Sequence, residues 1–194
     1  MSALIISGDT SGTITLDAPA VAGSTTQSLV AVSGTLAPIV NGTAVASTSG
    51  TAIEFTGIPS WAKQITVMFQ GVSSSSTGII QIQIGSGSYV TSGYLSGASN
   101  FAGYSAVTTG FGCAYNNANA GLWHGAVRLT ILNPATNSWV SNGILNDSSA
   151  GAQIMNSAGS ISLAGTLNQL RIIASATGTP ADTFDAGTIN ILYE

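Results

Sequence analysis

Charge is the first thing this sequence lacks. Of 194 residues, three are Lys or Arg and seven are Asp or Glu. That is 5% charged, against roughly 25% in an average soluble domain. Lys63, Arg128 and Arg171 are the whole cationic inventory, and the formal net charge is −4. Phosphate neutralisation needs clustered Lys and Arg, so a nucleic-acid partner is excluded. Histidine is limited to His124 and cysteine to Cys113. An intrachain disulfide is therefore impossible, as is a zinc site of the His₃, His₂Glu or Cys₂His₂ kind within one chain. No metal and no cofactor is expected. Long apolar runs are missing as well: the longest, residues 3–6 and 29–32, have four residues. A spanning helix needs about 20, so membrane insertion is not expected. The opening MSALIISGDT has neither the basic start nor the apolar length of a signal peptide.

What replaces the charge is Ser, Thr, Gly, Asn and Gln, with a normal apolar share of 44%. Glu, Lys and Arg are too few to dress an exposed helix face. Alternation with period two recurs instead. Ile65, Val67 and Phe69 alternate with Thr66, Met68 and Gln70; Ile80, Ile82 and Ile84 alternate with Gln81 and Gln83. Val127, Leu129 and Ile131 flank Arg128 and Thr130, Leu170 and Ile172 flank Arg171, and Ile189, Ile191 and Tyr193 close the chain. Turn formers separate these runs: serines at 73–76, Gly85-Ser86-Gly87, Asn116-Asn117, Asn133-Pro134, Asn142-Gly143 and Gly178-Thr179-Pro180. The pattern predicts an all-β chain, an antiparallel β-sandwich of jelly-roll type over residues 49–194.

Residues 1–48 read differently. They hold no aromatic residue and few large apolar ones. Such a segment cannot bury enough surface to offset an ordering cost of about 1–2 kcal/mol per residue. It is either a disordered leader or an extended arm held by a partner through strand addition or wrapping. The second reading makes it an anchor, with Leu4, Ile5, Ile6, Ile14, Leu16, Leu29 and Val30 as its gripping residues.

Candidate chemistry is sparse. His124 as a general base beside a Ser or Cys113 would need an orienting carboxylate, and Glu54, Asp147, Asp182 and Asp185 lie far from it in sequence. No G-x-S-x-G elbow is present. Asp182 and Asp185 match neither a calcium loop nor a glycosidase pair and read as turn-forming residues. No catalytic residue is assigned. The unusual stretch is residues 89–115, where Tyr89, Tyr94, Phe101, Tyr104, Phe111 and Tyr115 stand among Gly, Ser, Thr and Asn without a charge. That is the composition of adaptable binding loops. Tyr89, Tyr94, Phe101, Tyr104 and Tyr115 are therefore the candidate contacts to a partner or a host-surface glycan, the alternative being that these rings fill a core or a subunit interface.

The run TSGTAIEFTGIPSWAKQITVMFQGVSSSSTGIIQIQIGSGS (48–88) resembles a segment of tailed-bacteriophage structural proteins, with its F-x-G-I-P-x-x-x-K-x-I-T-V core. The ending AGTINILYE and the leader ISGDTSGTITLDAPAVAG are similar to terminal segments of the same kind of protein. The resemblance spans roughly a third of the chain. It implies a non-enzymatic β-sandwich on the exterior of a phage virion, often trimeric: a capsid decoration (cement) protein, or a head or tail fibre module. Residues 1–48 would then contact a capsid or tail protein. There is no repeated shaft, which favours a decoration protein or a short knob over a long fibre.

Overall fold

The computed structural model describes residues 38–114, 121–149 and 153–194, together with the strands β1 (Ala3–Ser7) and β2 (Thr13–Asp17). The chain divides into two compact units, Met1–Leu36 and Ala37–Glu194. In the first, β1 and β2 form an antiparallel ladder of their own. Its register sets Leu4 opposite Leu16 and Ile6 opposite Ile14. Leu29 and Val30 lie outside the described residues.

The second unit opens with two short strands, β3 (Val40–Asn41) and β4 (Val45–Ala46), and continues with β5 (Ala52–Thr56), β6 (Gln64–Ser74), β7 (Ile79–Ser86) and β8 (Ser88–Tyr89). Then come β9 (Leu95–Asn100), β10 (Gly103–Val107), β11 (Phe111–Gly112), β12 (Trp123–Asn133) and β13 (Ser138–Asp147). The last three are β14 (Gln153–Ser162), β15 (Gln169–Ser175) and β16 (Phe184–Tyr193). One sheet runs β10-β9-β14-β13-β12-β6-β16-β3, with β4 also on β16; the other runs β11-β7-β15-β5, with β8 on β7. All these pairings are antiparallel.

The wrap is a jelly roll with additions. Counting β3 and β4 as one interrupted strand, the principal strands in chain order are β3/β4, β5, β6, β7, β11, β12, β15 and β16. Their spatial order is first-eighth-third-sixth in one sheet and second-seventh-fourth-fifth in the other, the double Greek key of that fold. Two insertions, β9–β10 and β13–β14, lengthen the first sheet beyond β12. Between the sheets lies one apolar core that includes Ile53, Phe55, Ile65, Val67, Phe69, Ile82, Ile84, Val127, Leu129, Leu170, Ile172, Ile189 and Ile191. The period-two residues thus face inward as their spacing predicts.

Three expectations are corrected. The sandwich starts at 37 rather than 49, because residues 40–46, too short and too neutral to stand out by composition, hydrogen-bond to β16. Asn142-Gly143 is no turn but the middle of β13, laddered to β12 on one side and β14 on the other. Gly143 is there because Val127 occupies the space a Cβ would take. Gln81 and Gln83 are not wetted: both are buried, at 1% and 0% exposure, so β7 has no solvent face. The real turn between β12 and β13 is a short 3₁₀ helix, Pro134–Thr136, where the Asn133 side chain accepts from the Ala135 N–H and Asn137 takes the left-handed conformation.

One glycine fixes the junction of β16 with β6. The ladder slips between Ala186 and Thr188, and Gly187, at φ +96°, lies against the backbone of Gly71. A side chain there would meet both a strained φ and a main-chain collision. Gly187→Ala is expected to lower unfolding free energy by about 3 kcal/mol in urea titration.

Candidate functional site

The residues singled out for chemistry do not converge. His124 stands on β12 with its Nδ1 accepting from the Gly71 N–H at 3.3 Å, a bond that tethers two neighbouring strands at a bulge. Asp147, buried, accepts from the N–H groups of Leu122 and Ser149 and closes the loop ends around β12 and β13. Asp182 accepts from the Gly78 N–H at 2.9 Å, and Asp185 from the Ser73 hydroxyl. Asp182 thus acts as a loop tie, as its turn setting predicts; Asp185 is a correction, since it lies in β16 and ties that strand to Ser73 of β6 where their ladder slips. Cys113 is fully buried, and that burial pushes its thiol well above the ordinary range. Among the described residues no group of three His, Cys, Asp or Glu side chains is placed to hold a metal ion. No helix among them is long and apolar enough to cross a membrane.

The aromatic stretch divides. Tyr94 is a correction: it is fully buried and belongs to the core. Its ring meets Phe111 edge-on at 5.0 Å, and its hydroxyl accepts from the Ile84 N–H at 2.9 Å and donates to the Val90 carbonyl at 3.1 Å. Burial pushes its phenol up to about 12. A residue at the junction between β8 and β9 reads as a loop position in sequence, but only a ring of this length reaches back to the β7 backbone. Tyr89 is half-buried, with the Arg171 guanidinium 4.4 Å from its ring centre. Burial first, then the nearby Glu54 carboxylate, raise its phenol above the ordinary value against the opposing pull of Arg171. Tyr115 lies outside the described residues.

Among the described aromatics of this stretch, only Phe101 and Tyr104 stand out to solvent, 93% and 65% exposed. Both belong to the β9–β10 hairpin. Asn100 locks the turn, its Oδ1 accepting from the N–H groups of Ala102 and Gly103, while its amide donates to Gln153 on β14. The Tyr104 ring lies over Gly97, whose missing side chain leaves the space it occupies. Beside it a shallow hollow of about 680 Å³ is lined by Leu95, Gly97, Ser99, Asn156, Ala158 and Ser160 on the outer face of the sheet. No charged side chain borders it. The composition of 89–115 pointed to the ring, but the β14 half of the floor carries no aromatic marker and was not legible.

A separate polar layer explains the dry face of β7. Gln83 donates to the carbonyls of Thr109 and Gly178 at 2.7 and 2.8 Å and accepts from the Arg171 Nε at 2.8 Å. Gln81 donates to the Ser175 carbonyl and accepts from the Thr109 hydroxyl. Two loops are thereby stitched over the smaller sheet. The signal missed in sequence is that alternating Gln is as compatible with a buried amide layer as with a wet face.

Two measurements check these assignments. Folding favours the neutral Tyr94 phenol, so its contribution to stability is complete below pH 10 and is lost as pH rises toward 12. Denaturant midpoints should fall over that range, and less so in Tyr94→Phe. Gln83→Leu leaves two buried carbonyls and Arg171 without their partner, and should cost about 2–4 kcal/mol in the same titration. Comparison with known proteins finds no matching family model, no similar curated protein and no similar solved structure.

Proposed function

We propose that this chain is a non-enzymatic structural protein of a tailed-phage virion. In this reading it is a capsid decoration or short fibre module that associates with itself, as a trimer, on the exterior of the particle. The observation that carries the self-association is the outer face of the larger sheet. Ladder register puts Thr66, Met68, Asn190 and Leu192 of β6 and β16 beside Ala126, Arg128 and Thr130 of β12, and these beside Val140, Asn142 and Ile144 of β13. Arg128 is the one charged residue in that patch, and Ile144 is 57% exposed. A broad, nearly neutral β surface favours burial against a copy of itself. The smaller sheet, by contrast, has its outer side closed over β7 by its own loops. The resemblance of residues 48–88 and of the last strand to phage structural proteins supplies the setting, and residues 1–48 the attachment to capsid or tail.

Sedimentation velocity at micromolar concentration should give a mass of three chains, unchanged between low and high salt because so few charges take part. Ile144→Glu together with Met68→Glu should shift the protein to a folded monomer. A wild-type monomer at that concentration would refute the self-association. Since residues 40–46 belong to the sandwich, the informative truncation removes residues 2–36: the remaining unit should stay folded and lose attachment to particles, and retained attachment would refute the anchoring role.

A further inference from the structure

The β9–β10 hairpin and the outer side of β14 make a surface that self-association does not require. Its β14 floor borders the self-association patch, Asn156 pairing with Ile144 of β13, while Tyr104 on β10 stands three strand spacings beyond β13, about 14 Å. We propose that this groove binds a neutral oligosaccharide, with the Tyr104 ring as the stacking platform.

Four observations carry it. First, Tyr104 is both exposed and immobilised: its ring rests on Gly97, where any side chain would displace it, and leaves 65% of the residue open. A flat aromatic face held this way offers the carbon-bound hydrogens of a sugar ring a partner without an ordering cost. Second, the hairpin tip presents Phe101, 93% exposed, on a turn fixed by Asn100 rather than on a loose loop. Third, the floor supplies the amide of Asn156 and the hydroxyls of Ser99 and Ser160 at the level of the ring, and no carboxylate or cation. Hydroxyl and amide groups exchange hydrogen bonds with sugar hydroxyls in either direction, whereas an anionic sugar would leave its charge unmatched. Fourth, a second hollow of about 530 Å³ continues from the first through the shared Leu95 and Ser160. Its lining adds the hydroxyls of Ser138 and Ser162. The two hollows adjoin as a shallow trough with room for more than one sugar ring. A protein partner is the less suited occupant, because the trough is shallow and floored by Gly97 and Ala158, with no deep apolar pit to seat an anchoring side chain.

The test uses the full chain against immobilised gluco-, manno- and galacto-oligosaccharides and their uronate or sialylated counterparts, by glycan array and then by calorimetry. Binding to a neutral oligosaccharide is expected, insensitive to salt. Tyr104→Ala should weaken it at least about tenfold, and Tyr104→Phe should retain most of it, with thermal stability and oligomeric state unchanged in both. No binding to any neutral probe at millimolar concentration overturns the assignment. So does binding confined to anionic probes, binding unaffected by Tyr104→Ala, or a Tyr104-dependent attachment to a host protein stripped of its sugars. None of these results bears on the mass of the assembly, so the self-association reading stands or falls separately.

Discussion

The absence of a wet face on β7 constrains the rest of the sandwich. The side with Ile80, Ile82 and Ile84 is ordinary core, whereas Gln81 and Gln83 point away from it and yet are buried. With almost no ionic groups to call on, the chain closes that side with two neutral amides, Gln83 holding two main-chain carbonyls and Gln81 one, and each accepting from a neighbouring side chain. Arg171 completes the layer by holding Gln83 from one side and the Tyr89 ring from the other. A buried polar layer is favourable only when its members are satisfied together. The smaller sheet is thereby finished by the chain itself, and the larger one carries the open surface.

That asymmetry accounts for how much could be read from the residues. Strands such as β6, β12, β15 and β16 were legible because one of their faces is apolar at every second position, and burial enforces that pattern. Gln81 and Gln83 were misread because period two says which residues share a side, not whether loops cover it. Asn142-Gly143 misled for a different reason: turn propensity is local, and two flanking ladders override it. Tyr94 and Tyr104 show the same limit within one stretch. Both are tyrosines among small polar residues, but one reaches into the core and the other lies on Gly97 outside. Only the three-dimensional path of the chain distinguishes them. The β14 side of the groove, built from Asn156, Ala158 and Ser160, had no residue type to announce it.

The scarcity of charge gives the molecule its physical character. Hydrogen bonds between neutral groups and apolar contacts vary little with ionic strength, and of three basic residues two lie within ladders, Arg128 on β12 and Arg171 on β15. The same scarcity removes the lysines that commonly guard exposed strand edges. The interrupted β3/β4 strand at one margin and the short β10 at the other leave little continuous backbone on offer there.

The inserted hairpins have a consequence for how such a molecule can diversify. β13, β14, β9 and β10 are appended outside the eight-strand wrap, and they lend it only inward residues such as Ala98, Trp139, Leu145, Met155 and Ile161. Substitution, lengthening or exchange on their outward side leaves the frame's interior untouched. A lineage could therefore retailor this annex repeatedly, while the parent sandwich and its amide seal stay fixed.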